Sequence, residues 1–140
     1  MTWLGWSLAS AVFAALTAIL AKVGVSGVDS TLATAVRTVV VLLFTWLLVW
    51  VSPSAGGIGT LTPRNWSFLA LSGVTTGLSW LCYFRALQIG PASRVAPIDK
   101  LSVVFVIALA TLVLGERLTW AKGIGGLLIV AGAVTIALER

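Results

Sequence analysis

Asp99 and Lys100 stand side by side in an apolar part of this chain, with Pro97 just before them and the run LSVVFVIALATLVL directly after. A carboxylate beside an ammonium can grip a zwitterion, pass a proton or simply neutralise itself, and the medium around it decides which. Lys22, Arg37 and Arg85 are also set in apolar sequence. Such cations could together form a positively charged vestibule for groups bearing a carboxylate or phosphate. Trp80 and Tyr83 are three residues apart and so share one helix face, where they could wall a cavity or simply pack. The chain has no histidine and one cysteine, Cys82, inside an apolar segment. Zinc sites, Ser–His triads, Cys-based metal sites and disulfides are therefore excluded by inventory. No nucleophile–base pair and no Walker A loop is present. Neither an enzymatic activity nor a metal nor a cofactor is expected.

The medium follows from composition. Of 140 residues 59% are hydrophobic and only 9% charged, and the mean hydropathy is +1.10. No soluble domain of this size needs so much apolar surface, so the class is an all-α integral membrane protein whose first partner is the lipid bilayer. A net charge of +5 invites a nucleic-acid reading, but the basic residues are scattered singly instead of clustering on one soluble face, and no nucleic acid is expected. An unpaired ion at membrane depth costs several kcal/mol. The ionisable residues inside apolar runs must therefore be paired, wet or functional.

About 20 apolar residues suffice for one crossing. Five such stretches fit within a single domain, residues 1–140, at about 3–23, 31–51, 63–88, 94–114 and 120–138. Met1-Thr2-Trp3 carries no Lys or Arg, which predicts a retained first helix and no cleaved signal. Asp29, Thr62 with Pro63, Ser93 and Thr119 read as helix starts, Pro53 to Gly59 as the longest loop, and Gly90-Pro91 as a stop. Pro97 then falls in the first turn of the fourth helix. An odd number of crossings puts the termini on opposite sides, here side A for the N-terminus and side B for the C-terminus. Trp3, Trp6, Trp50, Trp66 and Trp120 fall at side-A ends, where an interfacial belt sits. Side A carries Arg64, Arg117 and Lys122, and side B carries Lys22, Arg37, Arg85, Arg94, Lys100 and Arg140. Arg37 and Lys100 lie about 9 Å inside their helices, taking 1.5 Å per residue. Without them the loop charges nearly balance. Gly73, Gly77, Gly125 and Gly132 are small-residue positions that suit close helix packing, within the chain or against a second copy.

The order RALQIGPA at Arg85–Ala92, VAPIDKLS at Val95–Ser102, GERLT at Gly115–Thr119 and then Gly125, Gly126 and Gly132 resembles the EamA domain of the drug/metabolite transporter superfamily. Lys22 and Arg37 further resemble its short five-helix branch. The resemblance spans essentially the whole chain and implies a bundle of five transmembrane helices, one EamA-type repeat, in the plasma membrane. Longer members resemble two such units of opposite topology fused around a substrate cavity, and they export metabolites, amino acids among them. A single unit cannot supply both halves of an alternating-access cavity. The resemblance therefore implies an antiparallel homodimer, or a partner chain of opposite orientation, acting on a small-molecule substrate.

On that reading Lys22, Arg37, Trp80, Tyr83, Arg85, Asp99 and Lys100 are the residues expected to line a cavity. Each has a bland counterpart: Asp99 and Lys100 as a pair reaching toward side B, Lys22, Arg37 and Arg85 as lipid-phosphate ligands or helix-end caps, as Lys22 and Arg85 are placed to be, and Trp80 and Tyr83 as packing. Asp99 is the one acid inside a predicted span and so the residue to test for proton coupling. Glu116-Arg117 reads as a structural turn. A different class, a non-transporting subunit that assembles with a partner membrane protein, fits the same composition. The four-helix multidrug exporters of the superfamily rely on a glutamate in the first helix, and residues 3–20 contain no acid.

Overall fold

The computed structural model describes residues 2–139, with the backbone alone at positions 54 and 55. Every regular element among them is helical: α1 (Trp3–Gly24), α2 (Ser30–Val51), a 3₁₀ helix (Pro53–Thr60), α3 (Pro63–Ile89), α4 (Ala92–Asp99), α5 (Ser102–Val113) and α6 (Trp120–Ala137). Counting Ala92–Val113 as one crossing, five spans are long and apolar enough to traverse a membrane. The expected all-α architecture of five crossings is therefore present. Arg140, counted above among the side-B charges, lies outside the described residues.

Helix starts follow local chemistry. Asp29 Oδ1 accepts the N–H groups of Thr31 at 2.9 Å and Leu32 at 3.0 Å, satisfying two donors that the first turn of α2 leaves without partners. The Thr62 hydroxyl accepts the N–H of Asn65 at 3.2 Å and bonds to the Asn65 side chain, opening α3. Thr119 does the same for Lys122 at 3.3 Å, opening α6. Inside the spans, threonine hydroxyls donate back one turn: Thr34 to the Ser30 carbonyl, Thr38 to Thr34 and Thr111 to Ile107. Each hydroxyl thereby arrives in hydrocarbon already bonded. Gly115, with φ of +69°, turns the chain after α5, and the next N–H, that of Glu116, folds back onto the Ala110 carbonyl at 3.1 Å.

Three expectations change. The stretch Pro53–Thr60 is a 3₁₀ helix where a loop was expected. Ser93 does not cap the fourth span, because the helix begins one residue earlier, at Ala92, with Pro91 at the cap position and no side-chain bond. That earlier start moves Pro97 from the first turn into the interior of α4. The fourth span is also not continuous. Proline has no N–H to return to the preceding turn, and just beyond it the winding tightens. Lys100 N–H divides between Ala96 at 3.3 Å and Pro97 at 3.1 Å, while Leu101 reaches Ile98 at 3.0 Å and Val103 reaches Lys100 at 3.0 Å, each over three residues. The α-helix stops at Asp99 and restarts at Ser102.

Two units are compact. One is Ala21–Gln88, carrying the end of α1 with α2 and α3; the other holds most of α1 with α4, α5 and α6. In the second, α6 packs against both α4 and α5, and Gly126 is buried with Ile107 and Val104 about 4 Å from where a Cβ would stand. At Gly73, Gly77, Gly125 and Gly132 a Cβ would meet nothing within 4 Å. Gly126 thus lies in van der Waals contact with its neighbours, and the four expected positions are open. No span has more than 11% of its most apolar window buried, so its hydrocarbon surface is covered by lipid or by another chain.

The Asp29 cap titrates. The Leu32 N–H holds its carboxyl below the ordinary value of 3.8, burial acts the other way, and the Thr31 bonds and the Arg85 charge add to the lowering. A carboxylate with a depressed pKa contributes stability that is complete above the ordinary value and is lost as pH falls through the depressed one. In detergent, the thermal midpoint of wild type should therefore decline faster below about pH 4 than that of Asp29→Asn, whose amide caps but does not titrate. Parallel curves for the two proteins would remove this role.

Candidate functional site

In Ala21–Gln88 the side-B ends of three helices are fastened together. Lys22, in the last turn of α1, donates to the Leu87 carbonyl at 2.5 Å, in the last turn of α3. An ammonium there meets the negative end of the α3 dipole and carbonyls that lack an intrahelical donor. The Gln88 amide donates to the Val28 carbonyl, fixing the link between α1 and α2 to the same helix end. Arg85 donates to Gln88 Oε1 at 3.1 Å and exerts an attractive charge on Asp29. Leu87 is fully buried and Val25 nearly so beneath these bonds. Two of the expected vestibule cations, Lys22 and Arg85, are thereby engaged in holding helix ends.

Deeper on α2 stands Arg37, half-buried, seven residues past Ser30 and so about 10 Å along the helix axis. Its guanidinium carbon lies 4.2 Å from the centroid of the Trp80 ring and 5.3 Å from that of Phe84. Trp80, Phe84 and Leu87 recur at helical spacing on α3, and Tyr83, half-buried beside them, is within electrostatic reach of Arg37. Both distances are within the range of attraction between a cation and an aromatic face. The structure thus brings together Arg37, Trp80 and Tyr83, which were expected to line a cavity, and adds Phe84. The signal for Phe84 was its place four residues after Trp80. What no spacing within one helix could reveal is that α2 supplies the cation facing it.

Asp99 and Lys100 belong to the other unit and pair with each other, Nζ to Oδ2 at 3.2 Å, at the break between α4 and α5. Their side chains remain partly exposed. Lys100 is eight residues from Ala92, about 12 Å along the span. An ion pair and a tightened, 3₁₀-like turn therefore coincide well inside a hydrophobic crossing. At the opposite end of the unit, Lys122 pairs with Glu116 at 2.9 Å across the turn before α6. That pair fits the structural reading of the turn, with Lys122 as the partner in place of Arg117. A groove of about 420 Å³ between α5 and α6 is lined by side chains such as Ile107, Leu112 and Leu127 and offers little to orient a polar solute.

Five helices long and apolar enough to cross define a multi-pass α-helical protein of the inner (plasma) membrane. Residues 1–138 match the EamA-like transporter family, and the chain belongs to that family. It is 49% identical over 142 aligned residues, covering 98% of this chain and 97% of the relative, to a Sinorhizobium protein described as an uncharacterized transporter in the cobO 3′ region. A second similarity, 33% identity over 73 residues, covers 52% of this chain and 68% of the probable 4-amino-4-deoxy-L-arabinose-phosphoundecaprenol flippase subunit ArnE of Enterobacter sp. (strain 638). No solved structure matches.

Proposed function

We propose that the chain is a secondary transporter, an exporter of a small metabolite or amino-acid-like substrate. Its five helices form one domain that works by alternating access as an antiparallel dimer. The observation that carries this reading is the break in the fourth span at Asp99–Lys100. Transporters of inverted-repeat design set their sites at interrupted helices near the midplane, where freed backbone groups and side-chain charges meet the solute. Asp99 and Lys100 are the solute-contacting residues of their unit, and Arg37, Trp80 and Tyr83 are the cavity-lining residues of theirs. Lys22 and Arg85 hold the helix ends in the unit that carries Arg37. The open positions Gly73, Gly77, Gly125 and Gly132 and the largely uncovered spans support a second chain as the covering surface.

A second reading is favoured by the similarity to a flippase subunit: the chain is a membrane subunit that needs a different partner chain. Proteoliposomes holding only the purified protein separate the two. Under a panel of amino-acid and organic-anion gradients, wild type should carry flux of at least one solute. Asp99→Asn/Lys100→Gln should lower it by about tenfold, the scale of one lost contact of 1.4 kcal/mol, while eluting as the same dimer. Silence of wild type toward the whole panel, with monomeric elution, would transfer the case to the subunit reading.

A further inference from the structure

The chain has four acids against nine Lys and Arg, and the structure accounts for what each acid faces. Asp99 holds Lys100 and Glu116 holds Lys122. Asp29 is occupied by the first turn of α2 and faces Arg85. Glu139 lies beyond the end of α6. Among the described residues none forms an ion pair with Arg37. Lys22 meets a helix carbonyl and Lys100 a carboxylate, whereas the guanidinium of Arg37 lies against aromatic faces. A ring face attracts the cation but accepts no hydrogen bond in the guanidinium plane. A planar guanidinium stacked against a ring keeps its fork of N–H donors along its edge, where two coplanar oxygens fit.

We infer that Arg37, its guanidinium over the Trp80 ring and near that of Phe84, is an anion seat: it binds, by N–H donors the rings leave free, a singly charged group presenting two oxygens in one plane. Membrane depth requires a counter-charge for such a cation, and the chain leaves that place for the ligand. The guanidinium fork suits two oxygens at once, so the seat selects for geometry as well as for charge. Lysine would restore the charge but not the fork. The ligand is either the carboxylate of a small organic acid or the phosphate of a lipid headgroup. As the seat of a transported solute, the inference rests on the transporter reading above; as an anion site it stands by itself.

Calorimetric titration of the purified protein in neutral detergent tests it, with benzoate as probe and benzamide as its uncharged counterpart of similar shape. Benzoate should bind and benzamide should not. Arg37→Gln should weaken benzoate about tenfold or more, and Arg37→Lys several-fold, since a bidentate contact becomes a point contact. Trp80→Leu should weaken it as well, by removing the ring against which the guanidinium is held. If Arg37→Gln does not fold, Arg37→Lys carries the test. In nanodiscs, saturation of the site by phosphatidylglycerol, with benzoate excluded until that lipid is withdrawn, supports the seat and assigns its ligand to the headgroup. Equal binding of benzoate and benzamide, unchanged affinity in Arg37→Lys, or binding of neither benzoate nor phosphatidylglycerol overturns it. The two readings fail separately. Loss of Arg37-dependent binding with flux intact removes the seat and leaves the transporter; Arg37-dependent binding without any flux leaves the seat and removes the transporter.

Discussion

In a Cys82→Ser background, a cysteine at Leu118 should be labelled from outside intact cells in about half of the molecules, and so should one at Ser26, since loop cations that nearly balance do not set one orientation. The two positions are exposed and lie in turns at opposite membrane faces, Ser26 between α1 and α2 and Leu118 between α5 and α6. A single orientation would label one completely and spare the other until permeabilisation. The expectation of two orientations rests on which charges count. Arg37 is stacked on rings inside α2, and Lys100 is paired at the α4–α5 break. Neither belongs to a loop. What remains is Arg64, Arg117 and Lys122 against Lys22, Arg85, Arg94 and Arg140, and Lys22 and Arg85 are bound to the end of α3. Adding two lysines to the Ser26 turn should then collapse the mixture to one orientation. Dual insertion makes an antiparallel pair of identical chains possible. Complete labelling of one site alone would exclude that pair and require a partner of the opposite orientation.

The spans were legible in the sequence because hydrocarbon leaves the backbone few options. An apolar run long enough to cross is a helix, with its donors and acceptors satisfied internally. Asp29, Thr62 and Thr119 were legible as caps because their bonds run to N–H groups two or three residues away. The break in the fourth span was not. The apolar pattern runs through it, and its sign, Pro97, looked harmless while Ser93 was taken as the cap and placed it in a first turn. Partnerships across helices were equally hidden. Lys22 and Leu87 are 65 residues apart. Helical spacing fixed which face of α3 carries Trp80 and Phe84, but not that Arg37 lies against it. The vestibule of free cations consequently resolves into residues with different work: two fasten helix ends, one pairs with its neighbour, and one rests on rings.

The Asp99–Lys100 pair separates folding from transport in a way a single substitution cannot. Lys100→Gln takes from Asp99 the ammonium that neutralises it in a hydrophobic crossing, and a charge at such depth costs about 3 kcal/mol on the insertion scale. That is a large share of the 5–15 kcal/mol that holds a typical domain folded, so the yield of monodisperse protein should fall several-fold. Asp99→Asn is the milder change. The ammonium it frees sits on a long stem and can reach toward side B, whereas an aspartate has no such reach. Yields should therefore rank wild type, then Asp99→Asn, then Lys100→Gln. The double variant should recover most of what Lys100→Gln loses, because no charge is then left alone. Its flux should stay low, since folding needs only neutrality at the break while a solute site needs the charges themselves. Yield is read by size-exclusion chromatography and flux from proteoliposomes normalised to protein. If Lys100→Gln gave wild-type yield, the break would lie in water deep enough to solvate Asp99, and the pair would be dispensable for folding. If the double variant recovered flux together with yield, the charges would be structural, and the solute would have to be recognised by Arg37 and the rings alone.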